Sequence, residues 1–299
     1  MSTLTARLTT VEPVEDTRSS TEILQHLDAL MRPAATRGRR LATSKERKAS
    51  PGIVWALRCA VVVVVIGGWQ LGTQLGFVNA FFWSSPVLIW QKAITQFTSG
   101  TLLSDIGYTL SAAILGFIFG TLIGTVLGLS FWWSKIYLKT AEPFVIMFEA
   151  IPKLALAPII VLVLGLGMQS KVVLATAMVM AVQALNASAG VRTVDRDIVR
   201  MMYSLGASRG KVFRSVVIPS TLPWIISGLR VTIGLALAGA IVGEFIGSNH
   251  GVGRLIVYAG STYDIALIWV GVFVLAALSV LLYVIVGYIE RRLTHTITD

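Results

Sequence analysis

From residue 105 to residue 132 the chain reads Asp105-Ile-Gly-Tyr-Thr-Leu-Ser-Ala-Ala-Ile-Leu-Gly-Phe-Ile-Phe-Gly-Thr-Leu-Ile-Gly-Thr-Val-Leu-Gly-Leu-Ser-Phe-Trp132. After Asp105 it holds no charged side chain, and about 20 apolar residues in a helix suffice to cross a bilayer. Gly116, Gly120, Gly124 and Gly128 recur in it at a spacing of four. Such a row leaves a smooth stripe on one helix face, where a second backbone can approach closely. Static packing is the simpler use of the stripe; a low-relief face also lets helices slide or rock.

Similar runs lie on both sides of this one, roughly at 53–76, 143–166, 171–191, 222–247 and 265–288. Together they give an all-α, polytopic integral membrane bundle of about six transmembrane helices. Gly239, Gly243 and Gly247 repeat the four-residue spacing in the fifth segment. In the third, Pro143, Pro152, Lys153 and Pro158 interrupt the run. Proline in a membrane helix is tolerated where neighbouring protein re-satisfies the freed backbone, so that segment is expected to be kinked and packed against protein.

The whole composition agrees. Of 299 residues 55% are hydrophobic and 13% charged, against about 25% charged in soluble domains, and mean hydropathy is +0.77. The formal net charge of +10 fits basic loops facing anionic lipid headgroups and does not require nucleic acid. The single cysteine, Cys59, makes no intrachain disulfide and no metal site; it reads as a small buried hydrophobe rather than a reactive thiol. His26, His250 and His295 are far apart, and no His/Cys/carboxylate spacing suggests a metal.

Residues 1–50 are polar, Ser/Thr-rich and strongly basic towards their end. They read as a mostly disordered cytoplasmic extension, with a short amphipathic helix over 21–31 and a possible role in lipid or partner binding. Residues 51–292 form the transmembrane domain and 293–299 a short tail. Lys/Arg-rich and Lys/Arg-poor connections alternate along the chain: basic before 53, only Lys92 over 77–104, Lys135 and Lys139 next, Lys171 alone near Gly167, six basic residues over 192–220, and Arg254 alone near 248–264. The positive-inside rule then puts both termini in the cytoplasm of a bacterial cytoplasmic (inner) membrane.

The loop at about 192–220 carries the most chemistry. It runs Asp195-Arg-Asp-Ile-Val-Arg-Met-Met-Tyr-Ser-Leu-Gly-Ala-Ser-Arg-Gly-Lys-Val-Phe-Arg-Ser-Val-Val-Ile-Pro219. Ile198, Val199, Met202 and Leu205 have helical spacing, a Gly-Ala-Ser turn follows at 206–208, and Val212, Phe213, Val216 and Val217 share one side of a second short helix. Pro219 and Pro223 are expected to end that helix and start the next span. A cytoplasmic hairpin with an apolar side needs a surface on which to bury it, and a protein partner explains the central turn better than lipid does. Gly206 to Lys211 is not a phosphate-binding loop: only three residues separate Gly206 from Gly210, and Val212 stands where a hydroxyl is needed. Any ATP that drives this chain is bound by another polypeptide.

At this loop the chain resembles the permeases of binding-protein-dependent ABC importers, in the nitrate/sulfonate/taurine/bicarbonate branch. The family pattern is Glu-Ala-Ala-x-x-x-Gly, nine residues, then Ile-x-Leu-Pro. Gly206, Val216, Ile218 and Pro219 match it, while Arg200, Met201 and Met202 replace the Glu-Ala-Ala. Ala150-Ile-Pro-Lys-Leu-Ala-Leu-Ala-Pro158, Gly165-Leu-Gly, Gly228-Leu-Arg230, Gly243-Glu-Phe-Ile-Gly247, Ser85-Pro86 and Thr109-Leu…Gly116-Phe117 fit as well, with Ala112 where the family often has arginine. The resemblance covers about residues 53–292. It implies the type I importer permease fold and a non-catalytic role. It also implies a coupling helix around Gly206 that docks into an ATPase subunit, with Leu205, Gly206, Ala207, Ser208, Val212 and Phe213 in the contact. Two such ATPases would bind the ATP and Mg, an extracytoplasmic binding protein would deliver a small anion such as a sulfonate, nitrate or bicarbonate, and the permease would work as a homodimer.

Ionisable and polar groups within spans are the remaining candidates for a pathway or gate. Arg230 either lines an anion pathway or caps the carbonyls of a neighbouring broken helix. Glu244 lies 14 residues further on, about 21 Å along an unbroken helix, and suits a gate or a structural hydrogen bond better than an anion ligand. Glu149 and Lys153 have the spacing of an i,i+4 pair beside Pro152. Gln183 and Asn186 either line the pathway or hydrogen-bond between helices. A stand-alone secondary transporter or channel would show an inverted repeat and a buried ion site, and an integral-membrane enzyme would cluster catalytic groups at one membrane face; neither pattern stands out.

Overall fold

The structure is a computed structural model that describes residues 51–298 and Gln25. The expected N-terminal extension over 1–50, with its helix over 21–31, otherwise lies outside the described residues. The chain falls into two units, residues 1–61 and 62–299. In the first, Arg58 lies over the ring of Trp55 at 5.3 Å. Cys59 is exposed there, not buried as its residue type suggests, because an apolar helix face meant for lipid needs no protein cover.

The described residues form helices joined by short turns, without strands. The first helix, α1, spans Pro51–Gln74. The stretch to residue 104 holds α2 (Ala80–Trp83) and α3 (Pro86–Thr98). Ser85 caps α3 by accepting from the Leu88 N–H at 3.3 Å, with Pro86 at its first position, where the missing N–H costs nothing. Helix α4 spans Thr101–Ser130. Then α5 (Lys135–Ala150) and α6 (Lys153–Leu164) form one bent pair, broken by 86°. The break falls where it should: Ile151 is extended at φ −63, ψ 128, since a residue before proline is pushed out of the helical region. Helix α7 spans Met168–Arg192 and α8 spans Arg196–Ser204. Beyond them are α9 (Arg209–Val212), α10 (Ile218–Ile246), α11 (Val252–Ser261) and α12 (Ile265–Thr298). Five of the helical stretches are long and apolar enough to cross a membrane, or six if the bent pair is one span.

Helix α7 is the central element of the second unit. On one side it meets the glycine row of α4: a methyl at Gly120 would lie 2.5 Å from Val179 Cβ, one at Gly124 2.9 Å from Gln183 Cβ, and one at Gly128 2.5 Å from Ala187 Cβ. On the other side it meets α10, where a methyl at Gly239 would lie 2.7 Å from Ala175 Cα. Both rows therefore serve close packing, with backbone approaching backbone. Small faces on three helices let dispersion contacts accumulate where lipid offers no hydrophobic drive for association.

Two expectations need correction. Pro219 and Pro223 do not end a short helix: Arg209–Ile246 is one continuous helical stretch, carried past Pro219 by a π turn over Phe213–Val217. The wider turn shifts the hydrogen-bond register just before proline removes a donor. The last helix also continues through Thr298, beyond its expected end near 288 and through the expected tail.

Candidate functional site

The hairpin at 195–217 is held by local hydrogen bonds. Asp195 caps α8, its Oδ1 accepting from the Asp197 N–H at 2.7 Å. At the other end Gly206 has φ +78; its N–H donates to Tyr203 O at 2.9 Å, and the Ala207 N–H donates to Met202 O at 3.0 Å. This crossed pair is the Schellman stop, which needs a left-handed residue and so favours glycine. Ser208 then caps α9, accepting from the Lys211 N–H at 3.4 Å. The hairpin is fixed to the turn after α4 by Arg209, which donates to Trp133 O at 2.5 Å and lies over the Trp133 ring. Phe213 packs on Trp133 at 5.5 Å between ring centroids.

The apolar residues of the hairpin divide between two surfaces. Val199, Met202, Ala207 and Phe213 pack against a buried cluster of Val191, Val194, Val212, Val216 and Val217. Val212 has no exposed surface, whereas Leu205 is 76% exposed, and Ile198 and Met201 are exposed beside it. This corrects the candidate contact set. Val212 cannot touch a partner, and Phe213 faces largely inward; both hold the turn in place. Of the candidate contact residues, Leu205, Gly206 and Ser208 stay exposed at the tip, beside exposed Ile198 and Met201 on α8.

The other candidates lie apart from one another. Arg230 meets Glu290 of α12 at 2.5 Å and the Tyr283 ring at 5.3 Å. It therefore caps no broken helix, and its charge is matched by a carboxylate. Glu149 and Lys153 pair at 2.8 Å across the α5–α6 break, and Lys153 also donates to Glu149 O at 2.7 Å. Gln183 is buried, donating to Ile225 O at 3.2 Å and Thr125 Oγ1 at 3.3 Å. A methyl on Gly228 of α10 would lie 2.8 Å from Gln183 Oε1 and would also meet Asn186. Gln183 thus joins three helices, and Asn186, which is half-buried, flanks the same contact.

Glu244 is 1% exposed and anchors the start of α11. Its Oε2 accepts from the Gly253 N–H at 2.7 Å and its Oε1 from the Thr109 hydroxyl at 2.8 Å. Thr109 Oγ1 in turn accepts from the Val252 N–H at 3.0 Å, and Asp105 Oδ1 from the Gly251 N–H at 2.7 Å. Two carboxylates and a hydroxyl thus take up the free donors at a helix N-terminus, where negative charge is favoured. Nearby, fully buried Lys171 donates to Leu166 O at 2.8 Å and Gly247 O at 2.5 Å, closing the chain ends that follow α6 and α10. Sequence reasoning gave Asp105 and Lys171 no site role and named Thr109 only within a family motif, without a role. Nothing in their local pattern marks them, since the Thr109–Glu244 contact spans 135 positions.

Comparison with known proteins bears on this arrangement. Residues 116–295 match the family described as "Binding-protein-dependent transport system inner membrane component". The riboflavin transport system permease protein RibX of Chloroflexus aurantiacus is 35% identical over 227 residues, covering 76% of this chain and 85% of that one. The taurine transport system permease protein TauC of Escherichia coli is 28% identical over 243 residues, 80% of this chain and 88% of that one. The putative aliphatic sulfonates transport permease protein SsuC of Bacillus subtilis is 28% identical over 239 residues, 80% and 87% of the two chains. Among solved structures, a chain of the inward-facing MetNI methionine ABC transporter superposes with a TM-score of 0.56 at 18% identity, covering 68% of this chain and 98% of that one; at that identity the likeness speaks for the fold. The bundle around α7, the bent α5–α6 pair and the capped hairpin are accordingly those of an ABC importer permease, and the chain belongs to the binding-protein-dependent transport system inner membrane component family.

Proposed function

We propose that this chain is half of a homodimeric translocation pathway and that the tip at Leu205–Ser208 docks into a separate ATPase subunit, one for each copy. The observation that carries this is a large apolar side chain left 76% exposed on a turn closed by backbone hydrogen bonds and anchored by Arg209. Exposed apolar surface on a rigid support suits a protein partner. ATP and Mg are bound by that partner. On this reading both termini are cytoplasmic, because the hairpin that carries the tip is basic and the ATPase works inside the cell. Closure of two ATPases on ATP then moves the two hairpins, and with them α10, which continues directly from the hairpin's second arm.

The solute is a small molecule handed over by an extracytoplasmic binding protein. A small anion such as a sulfonate, nitrate or bicarbonate is the reading supported by the taurine and aliphatic sulfonate relatives. The riboflavin relative, at 35% identity, supports a second reading, a planar heterocycle. The ligand that co-purifies with the cognate binding protein separates the two. The mechanism is tested by uptake into proteoliposomes. Transport requires the ATPase, the binding protein and internal ATP, and Leu205→Asp lowers it by about tenfold or more, the effect of losing an interface anchor. Uptake by the purified chain alone, or full coupling in Leu205→Asp, overturns the proposal.

A further inference from the structure

Beside the hairpin, and separate from its tip, a cleft of about 810 Å³ opens between α5, the end of α7 and α8. Lys135, Lys139, Arg192, Arg196 and Arg209 line it, with Glu142 as the one carboxylate. Arg192 pairs with Glu142, and Arg209 is engaged with Trp133. Lys135, Lys139 and Arg196 have no ion pair or hydrogen bond among the described residues. Trp132 lines the same cleft, its indole N–H closed off from it. Like charges gathered around a concave surface focus a positive potential that draws in an anion.

We propose that this cleft binds a phosphate-bearing anion, with Lys135, Lys139 and Arg196 supplying charge. Ammonium and guanidinium groups suit phosphate oxygens. The depth is also right for a phospholipid headgroup. One long apolar stretch ends at Trp133, just before Lys135, and another ends at Arg192 itself, so the cleft lies where hydrocarbon gives way to headgroups, and tryptophan is favoured there. Soluble phosphate shares the chemistry and is the other possible source. An occupant would bridge α5 to α8 and so brace the hairpin. This site does not depend on the tip docking an ATPase, and its test needs no ATPase.

The full chain, in vesicles of mixed phosphatidylglycerol and phosphatidylcholine, is extracted gently and its retained lipid measured by native mass spectrometry. Wild type retains phosphatidylglycerol over phosphatidylcholine. The triple variant Lys135→Gln, Lys139→Gln, Arg196→Gln loses at least about tenfold of that preference, since each basic residue near an anionic surface contributes about a factor of five. A Lys135→Arg, Lys139→Arg, Arg196→Lys variant keeps the preference and shows that charge, not folding, is being read. Inorganic phosphate is then titrated against the retained lipid and, separately, in a thermal-shift assay of lipid-depleted protein. Retention indifferent to millimolar phosphate identifies the headgroup; phosphate that stabilises wild type but not the triple variant identifies the soluble anion. A wild type that shows neither lipid preference nor phosphate stabilisation overturns the proposal, as does a folded triple variant that retains phosphatidylglycerol as wild type does.

Discussion

Glu244 shows how a charge within a span can be structural. Both its oxygens accept hydrogen bonds, one from a backbone N–H at the start of α11 and one from Thr109. Glu244→Ala leaves the buried Gly253 N–H unmatched, while the Thr109 hydroxyl keeps Asp105 O at 3.1 Å, and one such loss costs about 1–3 kcal/mol. The expected result is destabilisation of about 1–3 kcal/mol in thermal or denaturant unfolding of the detergent-solubilised protein, with Glu244→Gln intermediate because the amide keeps one acceptor. A Glu244→Ala protein with wild-type stability but abolished transport would instead identify a gate. Gly206 gives a second prediction at this scale. Its φ of +78 costs an L side chain about 1–2 kcal/mol, so Gly206→Ala destabilises the hairpin, read as faster amide exchange over 196–212, while Gly206→Asn is milder. The sequence marked both residues, one as a charge in a span and the other as the glycine of a turn. It marked Thr109 only within a family motif and gave Asp105 and Lys171 no site role; the roles of all three exist only after distant helices meet.

At the scale of elements, the glycine row of α4 separates contact from mere composition. Gly124 faces α7 at contact distance, whereas nothing lies within 4 Å of a methyl placed on Gly107 of the same helix. Gly124→Ala has to push against α7 backbone and is expected to cost about 1–3 kcal/mol. Gly107→Ala gains up to about 1 kcal/mol of helix propensity. Unfolding curves of the two variants that coincide would refute the packing assigned to the row. The spans were legible because their apolar runs exceed what any soluble helix needs, and the α5–α6 break was legible because Pro152 leaves little choice at Ile151. The π turn was not legible. Pro219 and Pro223 read locally as terminators, and only the register shift at 213–217 lets the helix continue. Helix α11 was missed because Val252–Ser261 is short and its first turn is satisfied by side chains from two other helices rather than by a local cap.

On the scale of the whole molecule, the second unit is built around α7, with α4 and α10 packed against its two sides and α10 continuing from the hairpin. On the proposed docking, motion imposed at Leu205 would pass through the π turn over Phe213–Val217 and along the long helix that follows it to the packed glycine faces of the bundle. The sequence identified the hairpin but not which side of it is free. Alternation of apolar residues cannot tell a face that packs on its own fold from one that awaits a partner, and Val212 and Leu205 look alike until their burial is known. The most direct test is cysteine accessibility at the tip. In a Cys59→Ser background, Leu205→Cys is labelled with a membrane-impermeant maleimide in inside-out vesicles, with and without the co-expressed ATPase. Rapid labelling of the free chain, suppressed when the ATPase is bound, is the predicted result. Labelling unchanged by the ATPase, or labelling only from the extracytoplasmic side, would contradict the account.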